Sequence, residues 1–112
     1  MDPKLISGTV EMMILQVLMG EAAYGYKITQ EVLEKSKGAF QLKEGSLYPA
    51  LHRMEEEGML TAYWVETESG RRRKYYRITP AGREALAEKR ADWKGFCASV
   101  NEVLGGGSYA VA

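Results

Sequence analysis

The chain has 112 residues, enough for one core and too few for two ordinary domains, and its 46% hydrophobic and 27% charged content excludes a disordered polymer. Fifteen basic side chains balance fifteen acidic ones, the single cysteine (Cys97) excludes an internal disulfide or a cysteine-based metal site, and the single histidine (His52) has no partner pattern. The longest nearly uncharged apolar run, Met12 to Met19, is far short of a membrane span, and the N-terminus lacks the basic-then-apolar pattern of a secretory signal, so a cytoplasmic protein is expected.

A first helix is expected from Ser7, a plausible N-cap, to Gly20. Val10, Met13, Ile14, Val17 and Leu18 form one stripe, while Met12, Leu15 and Met19 make the other sides apolar too. A short helix that is apolar nearly all round must be covered on every side, which predicts either a deep core or a second chain over its outer surface. Tyr24 to Lys35 reads as a second helix, with Tyr24, Ile28 and Val32 four residues apart. Ser36 to Gly45 is a connector in which Phe40 and Leu42 alternate as a very short strand would.

The third helix is the unusual one. "EGSLYPALHRMEEEGML", Glu44 to Leu60, carries an apolar stripe of Leu47, Leu51 and Met54. Pro49 belongs in its first turn, which puts the start near Ser46, and Gly58 suits the C′ position. Its exposed side displays Ser46, Tyr48, Pro49, His52 and Arg53 early and Glu55, Glu56 and Glu57 late. From Met59 the period changes to that of strands: Leu60–Glu68 and Arg72–Thr79 read as a two-stranded hairpin joined at Ser69, Gly70 and Arg71. Thr79 and Pro80 then start a last helix that runs to about Leu104, with Leu86, Trp93, Phe96, Cys97, Val100, Val103 and Leu104 along one side.

Net neutrality hides an uneven distribution. Residues 1–58 hold six basic and nine acidic side chains, residues 59–112 hold nine and six, and Arg71 to Arg77 contains five positive charges in seven residues. Three helices, a hairpin with a basic tip and a trailing amphipathic helix predict a mainly α (α+β) winged helix-turn-helix. In that architecture the third helix enters the major groove of double-stranded DNA and the hairpin flanks it. The expected DNA-binding residues are Lys43, Ser46, Tyr48, Pro49, His52 and Arg53 on and beside the helix and Arg71, Arg72, Arg73 and Lys74 on the wing. No nucleophile–base set, metal-ligand cluster, cofactor motif or phosphate-binding glycine loop accompanies them, so an enzyme is not expected. The competing reading is a winged-helix module that binds protein and not DNA, for which four consecutive basic residues on the wing have no use.

The segments "GTVEMMILQVL", "YGYKI", "EGSLYPALHRMEEEGML" and "GRRRKYYRITPAGREAL" resemble the PadR family of bacterial transcriptional regulators over roughly residues 5–95. The resemblance implies a homodimeric repressor of the short subfamily, in which one C-terminal helix crosses the partner subunit and some relatives bind aromatic or amphipathic effectors near the interface. The expected division is a DNA-binding domain over 1–79, a dimerisation helix over 80–104 and a disordered tail over 105–112. Two-fold pairing is also the way to cover an all-round apolar first helix and a terminal apolar stripe, with Val10, Met13, Val17, Leu86, Trp93, Phe96, Cys97 and Val100 at the interface. Met12, Leu15, Met19, Trp93 and Phe96 are the expected walls of a site for a small aromatic effector.

Overall fold

A computed structural model describes the backbone of residues 3–106 and the side chains of residues 8–106. The elements follow as α1 (Pro3–Gly20), β1 (Ala23–Tyr24), α2 (Gly25–Lys35), α3 (Glu44–Glu56), β2 (Leu60–Glu66), β3 (Arg72–Ile78) and α4 (Pro80–Val103). The strands form one antiparallel sheet in the order β1-β3-β2. The helices pack beside it as a winged helix-turn-helix.

Helix α1 begins at Pro3, four residues before the expected Ser7. A proline at the first helical position gives up an N–H that would have no partner anyway, and its fixed φ already suits a helix. Of the two expected ways to cover α1, the deep core accounts for Val10, Ile14, Leu15, Val17 and Leu18, which are all buried by α2, α3, α4 and β3 of the same chain. Met12 and Met13 are half-buried against that core.

Tyr24 belongs to a strand and not to the second helix. Ala23 and Tyr24 pair with Tyr76 and Tyr75, which makes a third strand where a two-stranded hairpin was expected. The expected strand around Phe40 and Leu42 does not form. Ser36 closes the end of α2 by accepting from the Phe40 amide (3.0 Å), and both apolar side chains lean on the core. Without a neighbouring strand in reach, their alternation has no ladder to join.

Helix α3 starts at Glu44, so Pro49 sits in its second turn and not its first. The carbonyl that loses its partner is that of Gly45, one turn from an exposed helix start, where the loss is least costly. The far end closes as expected on Gly58, whose φ of 79° is left-handed. The Met59 amide reaches the Met54 carbonyl (2.9 Å) and the Gly58 amide that of Glu55 (3.1 Å), a Schellman closure.

The next junction ties α3, β2 and α4 together. Thr79 donates its hydroxyl to the Gly58 carbonyl (2.6 Å) and accepts the Gly82 amide (3.0 Å), capping α4 as expected. Gly82 lies so close to β2 that a Cβ there would run into the Met59 carbonyl oxygen and approach Ile78 Cγ1 at 2.8 Å. From there α4 crosses α1, burying Leu86, and continues outward; its later apolar side chains from Trp93 to Leu104 are largely exposed. The molecule is accordingly elongated, 57 × 28 × 24 Å. Gly105 and Gly106 turn the chain at the end of α4, and the rest of the expected tail, residues 107–112, lies outside the described residues.

Two glycines of α4 should respond in opposite directions. Gly82→Ala should destabilise the fold by about 1–3 kcal/mol, because backbone must move to admit the methyl group. Gly95→Ala, with nothing within 4 Å of the added atom, should stabilise by about 0.5–1 kcal/mol through helix propensity. Urea melts of the two variants test both signs, and Thr79→Ala should cost about 1 kcal/mol as a lost cap.

Candidate nucleic-acid interface

Helix α3 buries Leu47, Ala50, Leu51 and Met54, and that stripe determines what the opposite side shows. Lys43, Ser46, Pro49, His52 and Arg53 are exposed there, as expected. Tyr48 is 39% exposed because its ring leans back on α2. A Cβ at Gly25 would lie 2.7 Å from the Tyr48 hydroxyl, so the glycine of "YGY" makes room for this tyrosine and lets the two helices approach.

Arg53 has a partner that sequence reasoning missed. Its Nε donates to Glu11 Oε1 at 2.8 Å, and Lys89 of α4 reaches the other carboxylate oxygen at 3.3 Å. The Glu11 side chain is only 14% exposed, so one carboxylate ties α1 to both α3 and α4. The signal was present: Glu11 is the only charged residue between Gly8 and Gly20.

The wing turns through residues 67–71, where Thr67 binds the Arg71 carbonyl through its hydroxyl (2.7 Å) and its amide (2.8 Å). Register then separates the basic cluster. Pairing of Trp64 with Lys74 and of Glu66 with Arg72 puts those two cations on the face that continues from the buried Leu60 and Tyr76. Arg73 and Arg77 take the other face, among Tyr24, Tyr63 and Tyr75.

Every basic residue of β3 lies over an aromatic ring. Arg72 is 4.9 Å from the centroid of Trp64, Arg73 4.4 Å from Tyr24, Lys74 5.4 Å from Tyr76 and Arg77 4.9 Å from Tyr63. Such stacking restrains the side chains while leaving their charge in place. Lys74 is further held by Glu55 of α3 at 3.3 Å, so Glu55 is half-buried while Glu56 and Glu57 are exposed. Burial alone would lower the Lys74 pKa, but the bond to Glu55 and the adjacent Tyr76 hydroxyl outweigh it and raise the value. Burial likewise pushes the Tyr76 phenol up. Between the start of α2, helix α3 and the wing lies an open cleft of about 540 Å³, bordered by Tyr48 and His52 on one side and by Trp64, Arg73 and Lys74 on the other.

The residues expected at an interface between chains divide into two groups. Val10, Val17 and Leu86 belong to this chain's own core, and Leu15 is fully buried there too, so it cannot line an effector site. Met13 and Met12 are half-buried, and Met19 is exposed with its sulfur 3.3 Å from Arg83 Nη1. Phe96 is 51% exposed, Trp93 and Val100 are also on the surface, and Cys97 is partly covered. Trp93 and Phe96 stack within the chain, with centroids 5.9 Å apart. Among the described residues no group of side chains is arranged to hold a metal ion, and no helix is long and apolar enough to cross a membrane.

Residues 14–88 match the PadR-like transcriptional regulator family. The chain belongs to it. A transcriptional regulator of Mycobacterium tuberculosis is 38% identical over 100 residues, spanning 89% of this chain and 87% of its own. Among solved structures, a transcriptional regulator from Clostridium thermocellum superimposes with a TM-score of 0.82 at 33% identity, covering 88% of this chain and 96% of that one. A PadR family transcriptional regulator from Eggerthella lenta gives 0.80 at 33% identity, covering 93% and 88%. This PadR-like protein is therefore a DNA-binding transcription regulator and not an enzyme.

For this PadR-like chain the Glu11 bridge carries its own prediction. Glu11→Ala should lower stability by about 1–2 kcal/mol, since it strands Arg53 and Lys89 beside a partly buried site. A double-mutant cycle with Lys89→Ala measures the coupling; additive losses would show that the contact contributes nothing.

Proposed function

We propose that the protein is a homodimeric repressor that binds a roughly palindromic operator through α3 and the wing. One observation carries the reading: the second half of α4 exposes Trp93, Phe96, Val100, Val103 and Leu104 along one side, and a continuous apolar stripe on a free surface calls for a partner. A second copy supplies the same stripe, and two-fold pairing of α4 presents two α3 helices to one face of a duplex. Half-sites about 34 Å apart then match one turn of DNA. Residues 1–79 act as the DNA-binding unit and α4 as the dimerisation helix.

Lys43, Ser46, Tyr48, Pro49 and His52 lie where base edges and phosphates are met in this architecture, while Arg71, Arg72 and Arg73 serve the flanking backbone or minor groove. Arg53 and Lys74, each held by a carboxylate of its own chain, contribute less than their charge suggests. The stacked Trp93–Phe96 pair offers a flat surface for a planar aromatic effector. Such a molecule alters DNA binding by favouring one separation of the two recognition helices over another.

Gel shifts against the protein's own upstream region, repeated over a range of salt, test the reading. Affinity should fall steeply with salt, and replacing Arg72 and Arg73 by Ala should reduce the logarithmic slope by about one unit per lost phosphate contact. Phe96→Glu should yield a folded monomer in sedimentation and abolish operator preference. A Phe96→Glu chain that stays dimeric, or that discriminates operator from random duplex as before, contradicts the proposal.

A further inference from the structure

We infer that the cleft between α3 and the wing seats the sugar–phosphate backbone of one DNA strand, with the Trp64 indole packed on a deoxyribose. The inference rests on the DNA-binding reading and assigns a nucleic-acid contact to a residue outside the basic cluster.

Trp64 is placed by register. It follows Leu60 and Ala62 on the face of β2 that packs into the core, and its cross-strand partner is Lys74. Leu60 is sealed and Ala62 half-buried, but Trp64 stands 55% exposed, because the hairpin has by then run past the body of the domain. Of the rings that lie under cations of β3 it is the one left largely in water: Tyr24 and Tyr63 are half-buried and Tyr76 is buried. Arg72 lies on its ring at 4.9 Å and Lys74 stands beside it, so a flat apolar surface is flanked by two cations. Tyr48 and His52 provide hydrogen-bonding groups across the cleft. Of the two carboxylates nearby, Glu55 is engaged by Lys74 and Glu66 stands across the strand from Arg72.

This combination selects among the parts of a duplex. Base faces are stacked on one another and closed to an indole, and base edges in the grooves are polar. The exposed apolar surface of intact DNA along the strand is the sugar, with a phosphate on either side of it. An indole between cations complements that alternation, and it does so for any base sequence.

The test uses the full chain and a duplex from its upstream region, labelled at one end, beside a random duplex of equal length. Subtracting the emission of Trp64→Phe from that of the natural chain isolates the Trp64 signal with Trp93 untouched, and label anisotropy reports binding independently of emission. Trp64 emission should change and its quenching by acrylamide should fall, both saturating at the same protein-to-duplex ratio as the anisotropy. Independently, Trp64→Ala in the otherwise natural chain should weaken binding about tenfold on both duplexes, the scale of one aromatic packing contact. Trp64→Phe should recover most of that loss. Because no charge is removed, the salt slope should stay unchanged. Normal anisotropy with unaltered Trp64 emission, or Trp64→Ala binding as tightly as the natural chain, overturns the contact and leaves DNA binding standing. A reduced salt slope in Trp64→Ala also overturns it, since Trp64 would then act only by orienting Arg72. Absence of duplex binding at any salt overturns the DNA-binding reading and this inference together.

Discussion

Leu47, Leu51 and Met54 are sealed against the rest of the domain, and burying them leaves α3 one rotation about its axis. Turning the helix by one residue, about 100°, would put a tyrosine or a histidine into the core and a leucine into water. The exposed side therefore needs no further determinant: whatever is not on the stripe faces out. Three contacts then fix the helix against its neighbours. Gly58 closes its end and hands the chain to β2, Glu11 holds Arg53 from the side of α1, and Tyr48 rests on α2 where Gly25 makes room.

The wing is held together in a different way. A hairpin of two seven-residue strands has little core of its own, and here it gains order from rings under its cations and from a short third strand. Tyr75 stacks on Tyr63 with centroids 5.8 Å apart and meets Tyr24 at 5.4 Å. Arg73 and Arg77 cover the two ends of that row. Arginines preordered in this way lose less freedom on meeting a phosphate than free ones would. The Lys74–Glu55 pair joins the wing to α3.

Much of this was legible in the sequence because it rests on period and local chemistry. The stripe of α3, the Thr79–Pro80 start of α4 and the switch to strands after Met59 are patterns that neighbouring residues determine. What was not legible depends on residues far apart in the chain. Tyr24 reads as helical on spacing alone; its pairing with Tyr75 is a contact across fifty residues. The clash that requires Gly82 to lack a side chain comes from Met59, and the bridge at Glu11 reaches Arg53 and Lys89. The apolar count of α1 was correct but misassigned, because four elements of one small chain converge on it and cover sides that seemed to need a partner. Among the described residues the far half of α4 keeps an exposed apolar stripe beyond that convergence.

In the proposed dimer that uncovered stripe links fold to function, with each α3 reading one half-site. Hydroxyl-radical footprinting of the protein's own upstream region addresses this most directly, because it maps backbone contacts on each strand without assuming which side chains make them. Two protected patches of equal depth, related by a two-fold axis and centred about one helical turn apart, are the expected result. A single protected patch at saturating protein, or uniform protection along the duplex, would contradict the account.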